Sequence, residues 1–164
     1  MLKMKLKGIV EEDFIQYEKP SMFLIFPKCS FKCDKECGAP ICQNGALASA
    51  KEIEVDIKKD IIWHYLENPI TEAIVCGGLE PFDSWEELKC LIMNLRYYTP
   101  DDIVIYTGYK EEEIDKKILN WLDLYGNIIV KFGRFIPNRP TRYDKILGVT
   151  LASDNQYAKR LSEI

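Results

Sequence analysis

Four of the chain's six cysteines, Cys29, Cys33, Cys37 and Cys42, fall within fourteen residues. They follow an apolar run, Met22-Phe-Leu-Ile-Phe-Pro27, whose length and composition predict a buried strand. Thiolates this close together on a loop at a strand end suit iron–sulfur or zinc chemistry better than disulfide formation. A single cysteine is usually a small buried hydrophobe; four in one loop are not explained by packing. Closed around zinc, the four would make a saturated four-thiolate site and a non-catalytic module.

Other residues capable of chemistry also follow apolar runs. Gly77-Gly-Leu-Glu80-Pro81 combines a glycine pair, which lets backbone approach a ligand, with a carboxylate. Thr107-Gly108, Gly133-Arg134 and Ser153-Asp-Asn-Gln156 occupy similar positions. Taken alone, Thr107-Gly108 reads as an ordinary turn. Arg134, Arg139 and Arg142 read equally well as surface charge or as groups that would meet a partner or a ligand carboxylate. His64, the only histidine, falls in a helical stretch and reads as a structural or surface residue. Cys76 and Cys90 read as inert core cysteines.

The elements that must position these residues alternate. Residues 56–67 have helical spacing, stopped by Asn68-Pro69. Glu72–Cys76 predicts a buried strand. Ser84-Trp-Glu-Glu87 is a capping-box signature for a helix. Asp102–Tyr106 predicts a strand, 111–124 a helix and 127–132 another strand. Lys145–Leu151 predicts a last strand and 155–164 a short helix. Such alternation implies βαβ crossovers and a mostly parallel sheet. In folds of that kind ligands sit at the carboxyl ends of the strands, where all of these loops would gather. The start, Met1–Lys7, alternates apolar and basic residues and predicts an edge strand within an N-terminal segment, 1–20.

Length predicts one domain spanning 1–164, with 135–164 its less regular end. Hydrophobic content is 47%, charged content 29% and net charge −4, which points away from nucleic-acid and membrane surfaces. No apolar run approaches membrane-spanning length and the start lacks a signal-peptide core. The expected compartment is therefore the reducing cytoplasm, where cysteines serve more often as ligands than as disulfides.

In order along the chain, these motifs resemble those of the radical S-adenosylmethionine enzymes, and among them the activating proteins of anaerobic (class III) ribonucleoside-triphosphate reductases. That family spaces three cysteines as Cys-x3-Cys-x2-Cys. Here Cys29-x3-Cys33 matches, and Asp34–Ile41 then intervenes before Cys42-Gln43-Asn44. The resemblance implies Cys29, Cys33 and Cys42 as ligands of a 4Fe–4S cluster, with Cys37 the rival third ligand. It implies Ile41 near the adenine of S-adenosylmethionine, with Gln43 beside it. Gly77, Gly78 and Glu80 resemble the Gly-Gly-acid-Pro motif that holds the methionine amino group, with Leu79 an added residue. Thr107 and Gly108 belong to a Tyr-Thr-Gly-Tyr strand end. Gly133-Arg-Phe135 and Ser153–Gln156 resemble the family's C-terminal signatures. The likeness spans about residues 20 to 160.

The implied fold is α/β, a partial (β/α) barrel of radical S-adenosylmethionine type with about five parallel strands. The chain is shorter than the roughly 250 residues of a full barrel. The implied activity is reductive cleavage of S-adenosylmethionine, with transfer of the radical to a glycine of the reductase. Three cysteine ligands leave one iron open for the cofactor's amino and carboxylate groups. The implied partners are the reductase and a reductant such as flavodoxin or ferredoxin. A radical enzyme acting on a different glycyl-radical protein, a peptide or a small molecule is the nearest variant of this reading.

Overall fold

A computed structural model describes residues 2–29 and 49–162. Ten strands are described: β1 (Lys3–Leu6), β2 (Gly8–Asp13), β3 (Ser21–Phe26), β4 (Ile53–Asp56), β5 (Ala73–Gly78), β6 (Asp102–Tyr106), β7 (Ile128–Phe132), β8 (Arg142–Asp144), β9 (Val149–Leu151) and β10 (Tyr157–Arg160). A π-helical stretch, Ile57–Ile62, continues into α1 (Trp63–Glu67); α2 is Trp85–Tyr98 and α3 is Lys116–Tyr125.

Six strands form the main sheet in the order β10-β7-β6-β5-β3-β2. The inner four are parallel, and β2 and β10 pair antiparallel at the edges. The fold is thus mixed α/β with a mostly parallel sheet. Among the described residues it has four parallel strands rather than about five, and β2 and β10 do not meet to close it. β1 pairs with β4 in a separate ribbon, so the main-sheet edge on that side is β2, while Met4 and Leu6 of β1 turn into the core.

Alternation along the strands sorts their side chains between two faces. Leu24, Ile74, Cys76, Ile103, Ile105 and Val130 pack with the helical residues Ile61, Leu88, Leu91, Leu95 and Leu122. Val75, Val104 and Ile129 face the other way, against Tyr17 and against Leu147 and Leu151 of the β8–β9 hairpin. Every helical element of the described core lies on the first face, and a loop and a hairpin cover the second.

Four local expectations are corrected. The capping box at Ser84 does not form: its side chain makes no cap bond, and a 3-10 turn, Pro81–Ser84, leads in instead. The helix expected over 111–124 begins at Lys116, because Asp115 accepts from the Lys117 N–H at 2.9 Å and sets the start there. Only Val149–Leu151 of the strand expected over 145–151 is extended. Asp144 Oδ1 accepts from the N–H groups of Ile146 and Leu147, both at 3.0 Å, folding the first half into a turn. Within the region read as a terminal helix, Tyr157–Arg160 is β10, since the open edge of β7 offers a ladder and a place for the Tyr157 ring against Phe132.

Candidate functional site

The carboxyl ends of β3, β5, β6 and β7 lie along one edge of the sheet, and the residues that follow them meet there. They enclose a pocket of about 350 Å³ whose wall includes Cys29, Gly78, Glu80, Thr107, Gly108 and Lys131. Ser153–Gln156 reaches the same edge by a different route from the one expected. It precedes β10, which runs antiparallel to β7, so the motif enters the sheet at the level of Phe132.

Glu80 is the best-anchored of these groups. It is 6% exposed. Its carboxyl accepts the Thr107 hydroxyl at 2.9 Å, the Gly108 N–H at 2.8 Å and the Phe82 N–H at 3.1 Å. Burial pushes its pKa up to about 7, against the opposing pull of these donors. Its own N–H donates to the Lys28 carbonyl at 2.7 Å, which ties the Gly-Gly-Leu-Glu loop to the start of the cysteine segment. Gly78 has φ +82°, and a Cβ there would run into Ile25, so only glycine suits the position. Gly77 has a different task. A Cβ on it would come 3.1 Å from the Phe23 ring and 3.3 Å from Tyr106 Cβ, so it allows close packing and does not line the pocket.

The wall beyond β7 is pinned from β10. Gln156 Nε2 donates to the Gly133 carbonyl at 3.2 Å and Asn155 Nδ2 to the Arg134 carbonyl at 2.7 Å. Arg134, 5% exposed, grips Glu113 with both terminal nitrogens, at 2.7 and 2.8 Å. Arg139 pairs with Asp154 at 2.6 Å, and Arg142 donates to the Gln156 carbonyl at 2.8 Å. His64 is an exposed side chain bonded to Glu11 at 2.7 Å. Cys76 is fully buried in β5, where burial pushes its thiol up to about 12. Cys90 is half-buried on α2.

The pocket therefore brings together Cys29, Gly78, Glu80, Thr107 and Gly108 from the expected site residues. Cys33, Cys37, Cys42, Ile41 and Gln43 lie outside the described residues. Lys131 was not anticipated. The signal for it was present, since it is the one charged residue in the apolar run Ile128–Phe132.

Cys29 stands on the wall of this strand-end pocket, in an α/β domain, and three more cysteines follow it within thirteen positions of the sequence. A family-model match over residues 20–155 makes that specific: the chain belongs to the 4Fe-4S single cluster domain family. No curated protein and no solved structure matches the chain. No helix of the described residues is long and apolar enough to cross a membrane.

Proposed function

We propose that the protein is a radical S-adenosylmethionine activase, which uses its 4Fe–4S cluster to raise a glycyl radical on an anaerobic ribonucleoside-triphosphate reductase. The observation that carries this reading is the pocket shared by Cys29, Gly78, Glu80, Thr107 and Gly108. The residues fit the groups required. Cys29 offers a thiolate at the pocket wall, and Cys33 and Cys42 would complete the cluster ligands. Glu80 is a buried carboxyl surrounded by neutral donors, a group that an arriving ammonium would stabilise in its charged form. The placement of the core helices on one face supports reading the sheet as part of a barrel, with the pocket on its inner side.

Bound together, the cluster and S-adenosylmethionine would supply one-electron cleavage of a sulfonium carbon–sulfur bond, yielding methionine and a 5′-deoxyadenosyl fragment that takes a hydrogen atom from glycine. The electron would come from a reductant such as flavodoxin or ferredoxin. The chain's own part is to bind and orient. Glu80 would hold the amino group, Gly78 would let the ligand approach backbone, and Thr107 and Gly108 would keep the Glu80 carboxyl aimed.

The test is 5′-deoxyadenosine formation by anaerobically reconstituted protein given dithionite and S-adenosylmethionine, alone and with the reductase. Product well above a cluster-free control is expected, and so is a glycyl-radical signal on the reductase. Cys42→Ala should abolish product while Cys37→Ala retains most of it. Cluster-loaded protein that yields no product in either setting would sink the proposal.

A further inference from the structure

Val149, Thr150, Leu151 and Ala152, consecutive in the chain, all line the pocket. Side chains alternate along a strand, so a wall made of side chains would show only every second residue. Here Val149 and Leu151 pack down on the sheet, while Thr150 is exposed. What β9 turns to the pocket is therefore its backbone edge. β9 pairs with β8 in a two-stranded ribbon, and among the described residues no strand pairs with its other side. Nor, among those residues, does Val149–Ala152 make a backbone hydrogen bond beyond that ladder.

An unpaired strand edge is a row of N–H and C=O groups with the spacing of another strand. Its complement is an extended polypeptide backbone, which pairs with it group by group. The neighbouring loop suits the same occupant. Gln16 is on the pocket wall, and Asp13 and Tyr106 bond only its backbone N–H and carbonyl. Its carboxamide, which both donates and accepts like a peptide group, has no partner among the described residues. Phe14 and Ile15 of the same loop are 63% and 74% exposed, an apolar lip beside the pocket. The Glu18 N–H donates to the Leu147 carbonyl at 2.8 Å, which ties this loop to the β8–β9 hairpin.

We infer that β9 takes an extended segment of the partner protein as an added strand, with the Gln16 carboxamide bonding one of its peptide groups. This deepens the activase reading and rests on it. Taking a hydrogen atom from a glycine α-carbon requires that the backbone itself, and not the tip of a side chain, reach the pocket. Strand addition delivers the backbone, and glycine has no Cβ to hold it away from the wall. Recognition then lies mainly in backbone hydrogen bonds, with side chains of the segment meeting the Phe14–Ile15 lip.

The experiment uses cluster-reconstituted protein with S-adenosylmethionine, kept oxidised so that nothing is cleaved, and a fluorescent peptide copied from the glycine site of the reductase. Binding is read by anisotropy across a series in which each backbone N–H of the peptide is methylated in turn. Methylation should weaken binding about tenfold at every second position and little at those between, the alternation of a paired strand. This series needs no protein variant to fold. Gln16→Ala, checked by iron content and circular dichroism, should weaken the unmodified peptide about fivefold; an unchanged affinity would overturn the part assigned to Gln16. Methylation effects without alternation would mean that side chains hold the peptide, and would overturn the inference while leaving the activase reading intact. So would an unmodified peptide that fails to bind while the full reductase still acquires its glycyl radical. A dimer in sedimentation that the peptide leaves intact would assign the edge to a second copy and overturn the inference too. Failure of both peptide binding and radical formation would sink the activase reading, and this inference with it.

Discussion

Where the parallel strands begin, Asp102 accepts from Arg160 at 3.0 and 3.2 Å, from Lys19 at 3.3 Å and from the Tyr17 hydroxyl at 2.7 Å. Where they end, the partners described for Glu80 are the neutral donors of Thr107, Gly108 and Phe82. Both carboxyls are buried, and burial raises both pKa values. At Asp102 the bonds from Arg160 and Tyr17 and the charges of Arg160 and Lys19 overcome burial and hold the group at about 2. At Glu80 burial prevails and the group rises to about 7. The starting edge also carries Arg96, which donates to the carbonyls of Thr99, Asp101, Tyr125, Gly126 and Asn127, closing the ends of α2 and α3. One edge is finished by its own charges. The other holds a buried carboxyl among neutral donors, where the proposed ammonium group would sit.

The largest effect should fall on the finished edge. Arg96→Ala orphans several carbonyls at once and should cost about 3 kcal/mol, read as a lower urea midpoint. If stability were unchanged, the description of that edge as the structural one would fail. Gly78→Ala tests the pocket edge as backbone. A positive φ and a clash with Ile25 should cost about 2 kcal/mol, read in the same titration.

Glu80→Gln separates the edges by pH. The folded-state pKa of Glu80 lies above its unfolded value, so the folded protein retains the proton. The contribution to stability is full below about pH 4.5 and disappears as pH rises through about 7. Wild type should lose about 2 kcal/mol relative to Glu80→Gln between pH 5 and 8. Over the same range wild-type affinity for S-adenosylmethionine should increase, while Glu80→Gln stays flat. Parallel profiles for the two proteins would remove Glu80 from the cation-binding role. The smallest effect is expected at Gly108→Ala, whose Cβ would sit 3.6 Å from Arg134 Cγ and 3.7 Å from Glu80 Oε1, ordinary contact distances. Its midpoint should move by less than about 0.5 kcal/mol, and any change in ligand affinity would then report on pocket space alone.

The parallel strands and the edge they share were legible because apolar runs such as Glu72–Cys76 and Asp102–Tyr106 end in glycine- or threonine-containing loops. Glu80, Thr107 and Gly108 were legible for the same reason. β10 was missed because Tyr157-Ala-Lys-Arg160 has no strong local preference; the vacant edge of β7 decides its conformation, and that edge is a tertiary fact. The hairpin was half-missed because Asp144 turns the chain with a side chain whose effect depends on geometry. Lys131 was passed over because one charge in an apolar strand can face either side until the neighbouring strands are placed. Gly77 was read with Gly78 as a pair, yet packing against Phe23 and Tyr106 separates their tasks.

The clamp that Asn155 and Gln156 place on Gly133 and Arg134 has a consequence for biosynthesis. Ribosomal synthesis proceeds from the cysteine loop toward β10, and at 5–20 residues per second the interval from Cys42 to Gln156 lasts on the order of ten seconds. For that interval a nascent chain already contains all of its cysteines while one wall of the pocket is unpinned. That wall of the pocket is therefore completed only after translation has passed residue 156. A chain cut short before Ser153 would keep every cysteine and still lack the clamp on that wall.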